Sequence, residues 1–407
     1  MKKAVVILEA LNFGLGRMTQ AAEDLDVNLV LLTKERGRFL HELRTVSSSR
    51  LQIIDMDTTD ETAVRQKIVE LGAVGLINPT DYWTNLSLKM AEEFSFPSQS
   101  ADAVRKCRDK TVLRNLLNDA GLSRGRAVMI DRDTDRRALA GHLSGPMIVK
   151  ERSGTGSRNV WLIESVAALE QVLDEAFDRL HVAHLTMEPY FRGTLHSAET
   201  VSYRGEMRMF ALSGRLMSPE PRFTEEAVIT PLDTNPKEFE EISQWIKRVL
   251  DAVGYETGLA HTEFMMTPDG LEVVEINTRL GGSLLGELVC RSYRTNVYAA
   301  FLEIALGQRP QLLDVPLNAE DRYAVKLVYP PGAGRLIAVE GRDRVKHFPG
   351  RPEYLEIISE GADVQFPHDD RGCIGTLHAA GTTSAQAIMN VMAAGNALSI
   401  AMASPAG

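Results

Sequence analysis

Between residues 261 and 283 the chain reads His261-Thr262-Glu263-Phe264, Pro268-Asp269-Gly270, Glu272-Val273-Val274-Glu275-Ile276-Asn277-Thr278-Arg279 and Gly281-Gly282-Ser283. Asp-Gly between two strand-like runs predicts a tight hairpin, which brings Glu263 on the first strand close to Glu275 on the second. Side chains alternate along a strand, so Glu275, Asn277 and Arg279 share one face while Ile276 points to the other. Two carboxylates and an amide oxygen on one face are hard oxygen ligands. They suit Mg²⁺, which keeps its remaining positions for phosphate and water. Arg279, one step further, can pair with a phosphoryl or carboxylate oxygen. A solvated polar face on an edge hairpin would account for any one of these residues. The set, followed at once by two glycines and a serine, points instead to a metal site.

Two lysines form a second candidate group. Lys110 opens a helix-like segment and Lys150 ends the apolar run Met147-Ile148-Val149. The loop after Lys150 offers Ser153, Gly154, Gly156 and Ser157. Its backbone N–H groups can wrap phosphate oxygens, although the spacing is not that of a P-loop, and an exposed hairpin turn is the alternative. In Met187-Glu188-Pro189-Tyr190-Phe191-Arg192-Gly193 an acidic residue sits in an extended apolar segment. Glu188 could accept from an amino group or a ribose hydroxyl, or be an edge-strand charge.

The elements that must position these residues follow from the patterning. Residues 1–108 alternate short apolar strands (Ala4–Leu8, Asn28–Leu32, Gly75–Ile77) with helical stretches such as Thr62–Leu71. That alternation implies a parallel sheet with helices on its faces. Residues 109–120 read as a capped helix, with Asp109 as N-cap, Val112, Leu113, Leu116 and Leu117 as its apolar face, and Gly121 beyond its end. Val160–Ile163 reads as a strand and Ala167–Leu180 as a helix. From about 185 to 280 strands dominate: Leu185–Met187, Ser197–Tyr203, Glu206–Leu212, Gly258–Met266 and Leu271–Asn277, interrupted by a helix at Pro236–Val253. Short strands and a helix near Ser384–Ala394 follow in 311–407.

The 407 residues carry 45 basic and 55 acidic side chains, a formal charge of −10. Without a long Lys/Arg block this disfavours non-specific nucleic-acid binding. No run approaches the ~18 apolar residues that span a bilayer, so no membrane partner is expected. Cys107, Cys290 and Cys373 lack metal or CxxC spacing and read as free thiols of a reducing, cytoplasmic compartment.

Taken in order, these motifs resemble the ATP-grasp superfamily of carboxylate–amine ligases over about Asp109 to Gly282. Asp109-Lys110 with Arg114 looks like its DKxxxR helix, Val149-Lys150 like its lid strand, and Glu188-Pro189-Tyr190-Phe191 with Gly193 like its adenine-binding linker. The fold implied is α/β with an α+β lid. It comprises an N-terminal parallel-sheet domain (1–108), an ATP-grasp domain (109–310, lid about 124–186) with a central antiparallel sheet, and a C-terminal β-rich α+β domain (311–407). The resemblance implies that Lys110 and Lys150 contact ATP phosphates and that Glu188 and the backbone at Tyr190-Phe191 meet adenine. It implies further that Glu263 and Glu275 bridge two Mg²⁺ ions (Mn²⁺ as a substitute), with Asn277 on one, and that Arg279 steadies an acyl phosphate. Many relatives place a ribose-binding glutamate where this chain has Leu195, so His196 or Glu199 is expected to substitute. His261 and the Gly281-Gly282-Ser283 turn are expected to line the acyl pocket, with a packed strand histidine as the alternative for His261.

Within that superfamily the His-Thr-Glu-Phe, Glu-Ile-Asn-Thr-Arg and Gly-Gly run looks like the L-amino-acid ligases, carnosine synthase and dapdiamide-type amide ligases. The implied reaction joins a small carboxylic acid to an amino acid or amine with release of ADP and phosphate, in dipeptide or peptide-antibiotic synthesis. A homodimer is a family-level expectation. The rival readings are a biotin-carboxylase or purine-pathway relative, for which no Arg/Lys-rich bicarbonate segment is found, and a nucleotide-binding regulator, which would require decayed metal ligands. A dehydrogenase is suggested only by Gly14-Leu15-Gly16, whose third glycine is replaced by Thr19.

Overall fold

The computed structural model describes residues 3–403 apart from 11, 12, 40, 41, 43–45, 47, 157, 283 and 368. The candidate site residues Ser157 and Ser283 therefore lie outside the described residues.

The N-terminal strands β1 (Ala4–Leu8), β2 (Asn28–Thr33), β3 (Leu51–Asp55) and β4 (Ala73–Ile77) form a four-stranded parallel sheet in the order β3-β2-β1-β4. β1 is buried along its whole length, which is why it reads as a continuous apolar run rather than an alternating one. The β3 strand has no such run and was not expected. Next come β5 (Val128–Ile130), β6 (Met147–Glu151), β7 (Val160–Ile163) and β8 (Leu185–Pro189), an antiparallel sheet in the order β5-β8-β6-β7. The helix before β8 runs over Val166–Asp174 and then widens into a π-turn at Glu175–Arg179.

The third sheet is the largest. It begins with β9 (Thr194–Tyr203), β10 (Glu206–Met217), β11 (Glu225–Thr230), β12 (Gly258–Thr267) and β13 (Gly270–Asn277). The β11 strand was not expected, whereas helix Pro236–Val253 falls where the pattern placed it, with Asn235 capping it through the Glu238 N–H. The last strands are β14 (Arg322–Val328), β15 (Gly334–Glu340), β16 (Glu353–Glu356), β17 (Asp363–Val364), β18 (Gly375–Gly381) and β19 (Ser399–Ala403). Three of them extend the central sheet into eight antiparallel strands, β13-β12-β9-β10-β11-β14-β18-β16; β17, β15 and β19 form a separate small sheet.

The central sheet is two-faced. Its back face, with Ala198, Leu212, Phe264 and Ile276, packs against helices Ala101–Arg108, Lys110–Asp119 and Pro236–Val253. Helix Lys110–Asp119 starts where Asp109 accepts from the Thr111 and Val112 N–H groups, and Gly121 follows its end with φ +69°. Its apolar face is narrower than expected, because Val112 is exposed. No helix among the described residues is long and apolar enough to cross a membrane.

Candidate active site

The β12–β13 hairpin turns at Pro268-Asp269, with Thr267 opposite Gly270. Its register sets Glu263 opposite Glu275 and His261 opposite Asn277. All four line one cavity of about 1070 Å³ between the N-terminal sheet, the lid and the central sheet. Like charges directly opposite on a ladder repel, so this pair needs cations. Lys110 Nζ lies 3.2 Å from Glu275. Arg215 Nη1 lies 3.6 Å and His261 Nε2 3.2 Å from Glu263. Burial pushes the Glu263 carboxyl up, but the Arg215 guanidinium and the imidazole outweigh it and hold it well below the usual carboxylate range.

Lys110 and Lys150 both reach the same space. Lys110 Nζ donates to the Gly154 carbonyl at 2.6 Å, tying the helix to the lid loop. Lys150 Nζ donates to Val274 O at 3.3 Å and pairs with Glu188 at 2.5 Å. Burial pushes the Lys150 ammonium down, against the pull of Glu188. Glu188 is itself held below its ordinary value: burial would raise it, but Arg114 and Lys150 prevail. Arg114 donates to Glu188 at 3.1 Å, to Ser123 at 3.1 Å and to the Val273 carbonyl. It also approaches Glu272 at 3.3 Å, and its flat face lies 4.9 Å from the Phe191 ring centre. Both Glu188 oxygens are thus engaged, each keeping a lone pair for a ligand.

Four expectations need adjustment. His196 is not on the cavity wall; it lies on the back face, stacked on Phe264 at 5.9 Å. The alternation that puts Ser197 in front puts His196 behind. Glu199 does face the site, but it is bonded to His261 Nδ1 and accepts from the Gly281 N–H at 3.0 Å. Ser153 is exposed and off the cavity wall, while Gly154, Thr155 and Gly156 line it. The Tyr190 N–H is engaged with Pro146 O at 3.0 Å, so its backbone donor is not presented to a base. Tyr190 and Phe191 both line the cavity.

His261 resolves into both of its alternatives: it is 2% exposed and lines the cavity. Burial lowers its pKa, and Glu199 and Glu263 raise it more. Its Nε2 lies 2.9 Å from Arg215 Nη2 and 3.2 Å from Glu263. Arg215 donates to an unprotonated Nε2, whereas Glu263 accepts only from a protonated one, so the two contacts compete. A side chain on Gly281 would meet His261 Nδ1 at 2.8 Å, which explains a glycine there. Gly281 and Gly282 line the cavity.

Sequence reasoning missed three residues. Asp81, on the loop after β4, accepts from Arg279 Nε at 2.9 Å and also from Nη2, while Arg279 Nη1 donates to Leu280 O at 2.8 Å. Arg215 and Glu225 form an ion pair on the cavity wall beside His261. Asp81 had a usable signal: it follows the carboxyl end of a parallel strand, where open α/β sheets place ligand-contacting loops. Arg215 and Glu225 had none.

Among the described residues no group of three or more His, Cys, Asp or Glu side chains makes a closed metal cage. Two carboxylates with Asn277 beside them, facing lysines, fit a hard cation that shares its other positions with phosphate and water.

This geometry agrees with what related chains show. Residues 107–283 match the ATP-grasp domain model, and residues 326–403 match L-amino acid ligase C-terminal domain 2. The solved L-amino acid ligase from Bacillus licheniformis superposes with a TM-score of 0.82 at 19% identity, covering 99% of both chains. The biotin carboxylase domain of a Hydrogenobacter thermophilus 2-oxoglutarate carboxylase, solved with MgADP, superposes at 0.74 with 16% identity, covering 99% of this chain and 91% of that one. Residues 107–283 therefore form an ATP-grasp domain, and together with the C-terminal match they support a carboxylate–amine ligase of the ADP-forming class. Within that class the chain is similar to the L-arginine-specific L-amino acid ligase of Bacillus subtilis, 21% identical over 68% of this chain and 69% of that protein. It is also 24% identical to carnosine synthase 1 of Homo sapiens over 72% of this chain, but spans only 38% of that protein's length.

Proposed function

We propose that the protein joins the carboxyl group of an amino acid or other small acid to the amino group of an amino acid or amine through an acyl phosphate. The observation that carries this reading is convergence. Glu263, Glu275, Asn277, Lys110, Lys150 and Arg279 all line one cavity, although they come from four elements and the turn after β13. Lys110, Lys150 and the lid backbone at Gly154 and Gly156 hold the ATP phosphates, and Glu188 with the Phe191 backbone receives the adenine. Glu263, Glu275 and Asn277 hold Mg²⁺, two ions in the fullest reading, with Mn²⁺ as a substitute. When bound, the metal neutralises charge on the transferring phosphoryl group.

A substrate carboxylate oxygen attacks the γ-phosphorus and the bond to ADP breaks, with Lys150 and Arg279 positioned for the three phosphoryl oxygens. The amine nitrogen then attacks the acyl carbon, loses a proton, and phosphate leaves with the C–O electron pair. Water would hydrolyse the intermediate, so the lid loop must cover it. His261, Gly281 and Gly282 line the acyl side of the cavity. The partners are two small molecules, and the product is a dipeptide or amide-bonded metabolite such as a peptide antibiotic, made in the cytoplasm. Boundaries at 108/109 and 310/311 belong to the same proposal, as does a homodimer.

The test is a screen of amino-acid and dicarboxylate pairs for ATP-dependent phosphate release, with products read by mass spectrometry. Release should require metal, acid and amine together. Glu275→Ala should lower it by about 100-fold or more, the scale of removing one group that stabilises transition-state charge. Full activity in that variant would remove the metal assignment.

A further inference from the structure

One face of the central sheet changes character across its width. At the β13 edge it shows Glu275 and Asn277, then Glu263 and His261 on β12, then Ser197 and Glu199 on β9. Arg215 on β10 donates to Ser197 Oγ at 3.3 Å and so stands on this face too. Beyond Arg215 and Glu225 the strand residues of this face that line the cavity, Val228, Leu327 and Thr376, carry no charge, and the ionic group of His378, Arg291 and Glu353 farther across the face lies off the cavity wall. Val228 on β11 lies opposite Arg215, and Val325 on β14 lies opposite Val228. Leu327, two residues along β14, lies opposite Thr376 on β18. Strand alternation keeps these residues on the same side.

The cavity follows the same gradient. Besides Arg215 and Glu225 its wall includes the apolar residues Val228, Leu327 and Ile357 and the edge of a packed cluster formed by Val228 with Phe13, Leu284 and Leu285. Tyr329 and Thr376 add hydroxyl groups there but no charge. Arg158 and Asp370, which also line the cavity, neutralise each other in a bidentate pair of 2.9 and 3.1 Å.

We infer that this end of the cavity is a side-chain subsite for an apolar substituent of one of the two substrates, and that Leu327 and Ile357 set its size. The inference rests on the ligase reading and deepens it. The reacting group of the substrate must lie at the charged end, near Arg279 and the phosphate. The rest of the molecule then runs past His261 and Arg215 onto Val228 and Leu327. A charged side chain placed there would lose water and find no free counter-charge among the described lining residues, a heavy penalty. An aliphatic or aromatic one gains from every methylene it buries. The substrate class is therefore an α-amino acid, or its acid analogue, with an aliphatic or aromatic side chain.

The test measures kcat/KM for phosphate release with glycine, alanine, leucine, phenylalanine, glutamate and lysine in all pairs. Leucine or phenylalanine should exceed glutamate and lysine by about tenfold or more in one of the two roles, since a methylene or two in an apolar pocket discriminates on that scale. Leu327→Ala should raise the phenylalanine-to-leucine ratio by about tenfold, and Ile357→Trp should lower the leucine-to-alanine ratio by about tenfold, with KM for ATP little changed in both. Ile357 is 37% exposed, so its replacement keeps the test valid if Leu327→Ala fails to fold. A preference for charged side chains in both roles, or ratios unmoved in the folded variants, overturns the inference alone. No phosphate release with any pair overturns the ligase reading and this inference with it.

Discussion

Arg279 shows how much of a functional side chain's behaviour is set by a neighbour distant in sequence. Its guanidinium is gripped by Asp81, 198 positions earlier, on a loop of the N-terminal sheet. A carboxylate across the fork fixes the plane of an arginine, because the donors have fixed geometry. We expect Asp81→Asn to lower kcat/KM for the acid substrate by roughly 10- to 100-fold, the worth of a charge-assisted hydrogen bond of about 1.5–3 kcal/mol. KM for ATP should stay near its original value and Asp81→Glu should restore part of the activity. An unchanged kcat/KM would show that Arg279 needs no such support. Arg114 plays a comparable part for Glu188, and its i,i+4 spacing from Lys110 on one helix explains why both appear in a single short motif. The residue types at 263, 275, 277 and 279 were legible because one hairpin contains them all. Arg215 and Glu225 were not, because a charge in a strand reads as solvated until its neighbours are known.

At the level of elements, the Pro268-Asp269 turn closed by Gly270, the Asp109 cap and the Asn235 cap fixed their segments with little help from the rest of the chain. The lid loop is different. Its Arg158 reaches Asp370 near the C-terminal end, and a side chain on Gly156 (φ +70°) would meet Asp370 Oδ2 at 2.3 Å. This loop is therefore drawn over the cavity by a contact no local pattern announces. The pair is partly exposed, with side chains 41% and 45% accessible. Its own worth is accordingly small, about 1 kcal/mol at most. Asp370→Asn should raise KM for ATP by a few-fold, within the roughly fivefold that 1 kcal/mol supplies, and increase phosphate release without product. Kinetics and product counting at low and high salt would check it; identical coupling in variant and parent would remove the latch.

Over the whole molecule, the central sheet unites segments that the sequence presents as separate, since β14, β16 and β18 pair onto strands from 194–277. A polar chain links the three regions: Arg17 with Glu287 at 2.7 Å, Glu287 with Arg291 at 2.8 Å, Arg291 with His378 at 2.7 Å, and His378 with Glu353 at 3.3 Å. The His378 hydrogen bond, aided by Arg291, holds the Glu353 carboxyl down from 4.5 to about 2. A carboxyl depressed on folding contributes stability that is present above the unfolded value and lost as pH falls through the folded one. Unfolding midpoints should therefore fall between pH 4.5 and about 2 more steeply in the parent than in Glu353→Gln. Parallel curves would remove that linkage. The sequence by itself determined the hairpin that pairs Glu263 with Glu275, the capped lysine helix, the strand that carries Lys150 and the order of the ATP-grasp motifs, because each depends on contacts a few residues apart. Only the tertiary structure decided that His196 faces away, that Asp81 holds Arg279, and that the charged site runs into an apolar arm. Those outcomes depend on which strands become neighbours and which face each presents, and no spacing within one segment encodes that.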